Sequence, residues 1–270
     1  MTICFRLKAE PEQRVDLSSL TPDAIAGKSH RDIAKAVIST TRETLTVGDL
    51  FNISGDDAQS LRFEGGSERF DYVGLKMSGG SIIVEGDVGQ QAGRLMSGGE
   101  VTIKGNAGRL AGSGMAGGVI EIRGQAGDLA GGPLPGEMAG MRGGVLRIAG
   151  NAGARAGDRM RRGLIAIGGN AGAYAGSRMI AGSLLIGGQA GALPGYLMRR
   201  GTIVLGRAPL STSPSFVGSG QADDVFLRLL FREVAQKGFA FRSEAAGSGW
   251  LRFSGDMAVL GRGELIWPVE

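Results

Sequence analysis

Between residues 80 and 205 the apolar positions keep a beat. The second and fourth residues after a recurring glycine are apolar in seven successive phrases: Ile82/Val84, Val101/Ile103, Ile120/Ile122, Leu146/Ile148, Ile165/Ile167, Leu184/Ile186 and Ile203/Leu205. The residue between them obeys no such rule, running Ile83, Thr102, Glu121, Arg147, Ala166, Leu185, Val204. This is period-2 alternation in short β-branched stretches, so each phrase predicts a strand with one buried face. The phrases also recur at a fixed spacing. Their methionines are Met77, Met96, Met115, Met141, Met160, Met179 and Met198; five of the six gaps are 19 residues and the sixth is 26. A period near 20 residues predicts stacked coils, one per repeat. The predicted fold is all-β dominated, a right-handed single-stranded β-helix of about seven coils, roughly 34 Å long at ~4.8 Å per coil.

The remaining columns of the repeat read as packing. The chain contains 50 glycines, and their fixed places in the phrase predict corners where φ is positive, not linker or collagen. A small column (Val88, Ala107, Ala126, Ala152, Ala171, Ala190) suits a narrow interior. The polar column beside it begins with Asp87 and continues as Asn106, Gln125, Asn151, Asn170 and Gln189, which predicts a structural amide ladder along the stack. The methionines read as flexible core filler rather than metal ligands. Residues 61–76 look like a degenerate earlier coil, with Gly65 and Gly74 in the glycine roles and Phe63, Phe70 and Tyr72 making it a cap.

Three regions follow: 1–58 as an N-terminal cap or docking region, 59–206 as the glycine-repeat β-helix, and 207–270 as a C-terminal helix and docking segment. Before the repeats, Asp32 to Ile38 is readable as helix or strand, and LTVGDLFNI as strand. After them, QADDVFLRLLFREVAQKG predicts an amphipathic helix, and WLRFSGDMAVLGRGELIW alternates again as strands.

Candidate chemistry is sparse. One cysteine, Cys4, and one histidine, His30, assemble no disulfide framework and no zinc or iron–sulfur site. No signal-peptide pattern or long apolar run is seen, so a cytoplasmic protein is expected. The glycine-rich phrases recur in every coil without a strand-to-helix transition, which excludes a dinucleotide loop. Asp56/Asp57 read as a turn and Asp223/Asp224 as a helix start; His30 reads as a surface histidine. No catalytic constellation emerges.

Charge supplies the one asymmetry. Net charge is +4, yet residues 138–206 hold nine arginines against one acid, Asp158. Several share columns: Arg142, Arg161 and Arg199 after the methionine, Arg162 and Arg200 next, Arg159 and Arg178 before it. Two readings stand. The arginines splay into water, or they form a face for a partner's carboxylates or another anion, which arginine's planar fork suits. Nucleic acid is disfavoured, since aromatic interleaving is absent.

The repeated phrase G-x-[ILV]-x-[IV]-x-G-[ND]-[AV]-G-x-x-x-G-x-x-M resembles the β-helical glycine-repeat domain shared by the glutamate synthase large subunit and the C subunit of formylmethanofuran dehydrogenase. The LRLLFREV helix and the closing RFSGDMAVLGRGELI resemble the dehydrogenase C subunit in particular. That family includes a bacterial relative, the formyltransferase/hydrolase complex of methylotrophs, which moves a formyl group from formyltetrahydromethanopterin to a methanofuran-type carrier and releases formate. The resemblance implies a noncatalytic scaffold subunit. It would be hetero-oligomeric with an amidohydrolase-like hydrolase, a formyltransferase and a dehydrogenase-B-like subunit. No cofactor is expected on this chain alone; zinc and the methanofuran-type carrier belong to sister subunits. The arginine face would then hold a sister subunit or the carrier's polyglutamate tail. An archaeal-type dehydrogenase subunit, a glutamate-synthase-like repeat protein and a free-standing binding solenoid stay open as alternatives.

Overall fold

In the computed structural model, residues 1–40, 42–239, 241 and 249–269 are described. The elements are β1 (Thr2–Leu7), β2 (Val15–Asp16), α1 (Pro22–Ile25), α2 (His30–Lys35), β3 (Val37–Ile38), β4 (Leu45–Thr46), α3 (Val47–Leu50), β5 (Phe51–Ser54), β6 (Asp57–Glu64) and β7 (Phe70–Asp71). The repeats contribute β8 (Ser81–Val84), β9 (Glu100–Ile103), β10 (Val119–Ile122), β11 (Val145–Ile148), β12 (Leu164–Ile167), β13 (Ser183–Ile186) and β14 (Arg200–Leu205). After them come β15 (Val217–Gln221), α4 (Asp224–Gln236), β16 (Trp250–Gly255) and β17 (Arg262–Pro268).

Thirteen strands join in one sheet, in the order β15-β16-β17-β14-β13-β12-β11-β10-β9-β8-β6-β1-β5. Pairing is parallel from β1 to β17 and antiparallel only at the two ends. Equivalent repeat positions face each other: Ile82 opposes Val101, Ile120 opposes Leu146, and Leu184 opposes Ile203. A one-residue slip would turn every buried side chain outward, so the alternation fixes this register. The small column makes a second line of parallel bridges, Val88–Ala107–Ala126–Ala152–Ala171–Ala190.

All seven methionines are fully buried. The methyl of Met96 lies where a Cβ on Gly118 would sit, 2.8 Å away, and Met115 stands likewise over Gly144 at 2.6 Å. Each methionine therefore fills the gap left by the next repeat's strand-opening glycine, which explains why the two residue types travel together.

Positive φ is shared more widely than glycine alone. Gly118 adopts φ +81°, but Leu95, Leu110, Leu129, Arg155, Arg159, Tyr174 and Arg178 are also left-handed. The N–H of Leu110 then reaches Asp128 O at 2.9 Å, and that of Tyr174 reaches Ala192 O at 2.8 Å. The strain, about 1–2 kcal/mol per residue, aims a backbone donor at the following repeat. Gly105 shows the converse case: its φ is not positive, yet a Cβ there would stand 2.2 Å from Asp87 Oδ1.

The N-terminal end is closed by more than the degenerate repeat. β1 pairs in parallel with β6, and β5 covers β1. Phe63 and Phe70 join Phe5 and Phe51 in an aromatic plug, with Phe5 and Phe63 stacked at 4.9 Å. Tyr72 lies at a left-handed corner outside it and accepts a hydrogen bond from Gln91. The ambiguous stretch at 32–38 divides into the end of α2 and β3. LTVGDLFNI is broken by α3, because Thr46 and Asp49 form a reciprocal capping box.

Past the repeats, β17 pairs in parallel with β14 as if it were one further repeat. The amphipathic helix forms as α4, with Asp223 accepting from the Val225 and Phe226 N–H groups. Its Leu227, Leu230 and Val234 bury against the outer side of the sheet, on Val145, Leu164, Leu185, Val204 and Ile266. A second apolar core thus lies outside the first.

Candidate docking face

The arginine columns divide by what their side chains hold. Arg159 and Arg178 sit at left-handed corners immediately before buried methionines. The Arg178 fork grips Asp158 at 3.0 and 2.6 Å, and Ser177 Oγ donates to the same carboxylate at 2.6 Å. Asp158 is only 1% exposed, so its charge must be met inside the chain, and Arg178 meets it. Arg159 Nη1 donates to Glu137 O at 2.7 Å, in the seven-residue insertion. The Glu137 carboxylate is in turn forked by Arg94 at 3.3 and 2.6 Å. Those bonds hold it below its ordinary value despite partial burial, and the Arg142 charge assists. Two of the seven candidate arginines thus fasten their own chain.

Arg142, Arg161, Arg162, Arg199 and Arg200 are exposed. The side chains of Arg161, Arg162, Arg199 and Arg200 make no ion pair or hydrogen bond among the described residues. Arg161 and Arg199 are two repeats apart, with Ile180 between, so the structure does not bring them into contact. Arg200 has a closer neighbour, Arg262, opposite it in register on β17. Sequence reasoning missed Arg262, although RGELIW repeats the pattern of RGTIVL and so marked an eighth phrase.

Arg142 and Arg162 line a cavity of about 570 Å³ between the sheet and α4, with Ser183, Leu230, Glu233 and Lys237. Lys237 pairs with Glu233 at 2.5 Å. Arg147, read from sequence as a freely varying position, ties α4 down: one nitrogen donates to Glu121 at 2.9 Å and another to Lys237 O at the helix C-terminus. A cation at that end also offsets the helix dipole.

The polar column runs mainly from backbone N–H to side-chain oxygen; one side-chain bond, Asn106 Nδ2 donating to Asp87 Oδ1 at 3.2 Å, joins two rungs directly. Asp87 Oδ1 accepts from Asn106 N at 2.6 Å, Asn106 Oδ1 from Gln125 N at 2.9 Å, and Asn151 Oδ1 from Asn170 N at 2.8 Å. Asn170 Oδ1 accepts from Gln189 N at 2.8 Å. A short side chain that leans along the stack meets the next backbone N–H before it meets the next amide. Gln125 is followed by the insertion, and there Asp128 Oδ1 serves Ala154 N at 2.7 Å. The glycine before each polar residue makes room: a Cβ on Gly124 would stand 2.4 Å from Asn106 Oδ1. Among the described residues no three His, Cys, Asp or Glu side chains gather to hold a metal.

The in-register parallel sheet, methionine–glycine interior and outward arginines define a glycine-rich stacked-repeat protein. No family model matches the chain. It is 51% identical over 87 residues to the C subunit of the formyltransferase/hydrolase complex Fhc of Methylorubrum extorquens, covering 32% of this chain and 33% of that subunit. It is 32% identical over 91 residues to the C subunit of tungsten-containing formylmethanofuran dehydrogenase 2 of Methanothermobacter thermautotrophicus, covering 32% and 34%. The match thus spans about a third of these curated relatives' length. The whole fold matches a chain in the X-ray crystal structure of the formyltransferase/hydrolase complex (FhcABCD) from Methylorubrum extorquens in complex with methylofuran. That match has a TM-score of 0.93 and 47% identity, and covers 99% of this chain and all of the other. The chain belongs to the family of C subunits of the formyltransferase/hydrolase complex, to which the formylmethanofuran dehydrogenase C subunits are related.

Proposed function

We propose that this chain is a noncatalytic, structural subunit of a formyltransferase/hydrolase complex. That complex would transfer formyl from formyltetrahydromethanopterin to a methanofuran-type carrier and hydrolyse it to formate. The observation that carries the reading is the end-to-end match, at 47% identity, to a chain of a solved complex of this kind. The side-chain inventory supports it: the buried carboxylates Asp71 and Asp158 are each engaged by an arginine of the same chain, and buried Asp256 by the N–H groups of Leu197 and Ala258. Hydrolytic zinc, the carrier and the transferase site would then reside in sister subunits of amidohydrolase-like, formyltransferase and dehydrogenase-B-like type. The expected setting is the cytoplasm; no helix among the described residues is long and apolar enough to cross a membrane.

The architecture suits a rigid spacer. Two lines of parallel pairing, one through β8–β14 and one through the small column, support reading the repeats as about seven coils of a right-handed β-helix. Residues 1–58 would cap one end, and 207–270 would close the other and dock. The exposed Arg142, Arg161, Arg162, Arg199 and Arg200 would meet a sister's acidic face or the carrier's polyglutamate tail.

Co-expression with the three counterpart subunits tests this. The tagged chain is expected to retain them, identified by mass, while showing no formyl turnover alone. Replacing Arg161, Arg162, Arg199 and Arg200 by Ser is expected to weaken retention of subunits or carrier in a salt-dependent way, with the gap from wild type widest at low salt. Turnover by the isolated chain, or unchanged retention of both, would remove the corresponding part of the proposal.

A further inference from the structure

At the end of the sheet where β17 stands in for another repeat, the connection from β16 leaves an apolar tip in the open. Met257, Val259 and Leu260 are 51, 42 and 47% exposed. Scattered exposed apolar residues need no explanation, but a contiguous group on a fixed loop does. This loop is fixed. Asp256, just before the tip, has no exposed surface; its Oδ2 accepts from Leu197 N at 2.8 Å and its Oδ1 from Ala258 N at 2.9 Å. Its backbone N–H donates to Met198 O, Met257 N–H to Ser215 O, and its own carbonyl accepts from both Val259 and Gly261. Burial presses the Asp256 carboxyl upward, yet hydrogen bonds from Ser215, Ala258 and Leu197 outweigh it and hold the group below its ordinary value.

The tip also has a charged border. The bonds from Asp256 set it beside Leu197 and Met198, so Arg199 and Arg200 follow directly. Arg262 comes one residue after the tip's closing Gly261 and lies opposite Arg200. All three are exposed and pair with no acid among the described residues. The nearest carboxylate in register, Glu264, accepts from Thr202 at 2.5 Å. An apolar centre with an arginine rim is the composition of an energetically dominant interface patch.

We propose that Met257, Val259 and Leu260, with Arg199, Arg200 and Arg262 around them, form a docking knob for a sister protein chain that offers an apolar socket edged by carboxylates. This rests on the subunit reading and names the surface that such a subunit uses. A second copy of this chain is the poorer occupant, because an isologous contact would set the arginine rim against itself. The buried anchor of the tip means that little ordering entropy is lost on docking.

The test uses the co-expressed complex and two variants whose residues lie outside the two cores: Met257→Ser/Val259→Ser/Leu260→Ser and Arg200→Glu/Arg262→Glu. Each is expected to keep the wild-type melting temperature yet retain the sister chains about tenfold less well, the second in a salt-dependent manner. Mild peroxide labelling gives an independent readout: Met257 is expected to be protected in the intact complex and reactive in the free chain, with exposed Met138 reporting dose. Full retention by both variants, or equal Met257 labelling in the free and assembled chain, overturns the knob. If wild-type chain retains no sister subunit, the subunit reading falls with it; if wild type and variants all assemble, only the knob falls. Dimers of the free chain that the tip variant abolishes would assign the surface to a second copy and overturn the proposed occupant.

Discussion

The inside and the outside of the sheet tell different stories along its length. Facing inward, Ile82, Val101, Ile120, Leu146, Ile165, Leu184 and Ile203 are fully buried and nearly interchangeable from the first repeat to the last. Facing outward, the early positions Ile83, Thr102, Glu121 and Arg147 are half-buried, while at the same place in later repeats Ala166 is buried and Leu185 and Val204 are sealed beneath α4. The interior repeats because each unit must stack on its neighbour in register. The exterior is free of that demand, so it records what lies on top of it: water and ion pairs over the early repeats, a helix over the late ones.

Breaking the covered half has the largest expected effect. Leu185→Asp places an unpartnered charge under α4 and is expected to cost about 3–5 kcal/mol. Thr102→Asp, its counterpart in the open half, is expected to change stability by less than about 1 kcal/mol. Denaturant unfolding of the two side by side measures the contrast; equal losses would mean that α4 does not shield this face. Next in size is the Asp158 corner. Arg178→Ala leaves the buried Asp158 charge without its partner, at an expected cost of about 3 kcal/mol, read as a lowered denaturation midpoint. Arg147→Ala follows, at about 1–2 kcal/mol. It is expected to raise hydrogen exchange at the C-terminal end of α4 while leaving β8 and β9 protected. An unchanged α4 would show that the apolar core alone holds the helix.

The smallest effect is a pH dependence. Glu137 is held below its ordinary value, so its stabilising contribution is present above that value and is lost as pH falls through the lower, folded one. Arg94 is 12% exposed and Glu137 35%, so solvent screening keeps the contribution to about 0.5–1 kcal/mol. Acidification below the glutamate range is expected to loosen the insertion in the wild type. In Glu137→Gln that acid-induced change should be absent, as followed by exchange at residues 134–140.

Strands, register, buried methionines and the helix of residues 224–236 were all readable from local pattern, since each rests on spacing within one repeat or one amphipathic stretch. The arginine columns were readable as positions but not as roles. Arg159, Arg161, Arg178 and Arg199 look alike in sequence, yet Arg178 closes on a buried acid and Arg159 on the insertion's backbone, while Arg161 and Arg199 stay open. The polar column was readable as a ladder, but most of its bonds come from backbone N–H groups, because side-chain length and lean decide which donor a side-chain oxygen reaches first.

By itself the sequence determined the inside: a 19-residue period with apolar residues two apart has only one way to bury its strands, and glycine and methionine answer each other within that constraint. The two ends and the outer face were decided by tertiary structure. β1 joins β6 across more than fifty residues, β17 takes its place beside β14 after a long excursion, and α4 settles on whichever outward residues are apolar. Such contacts join segments that share no period, so local spacing carries no record of them; they form because an open strand edge and an exposed apolar face must each be covered by something.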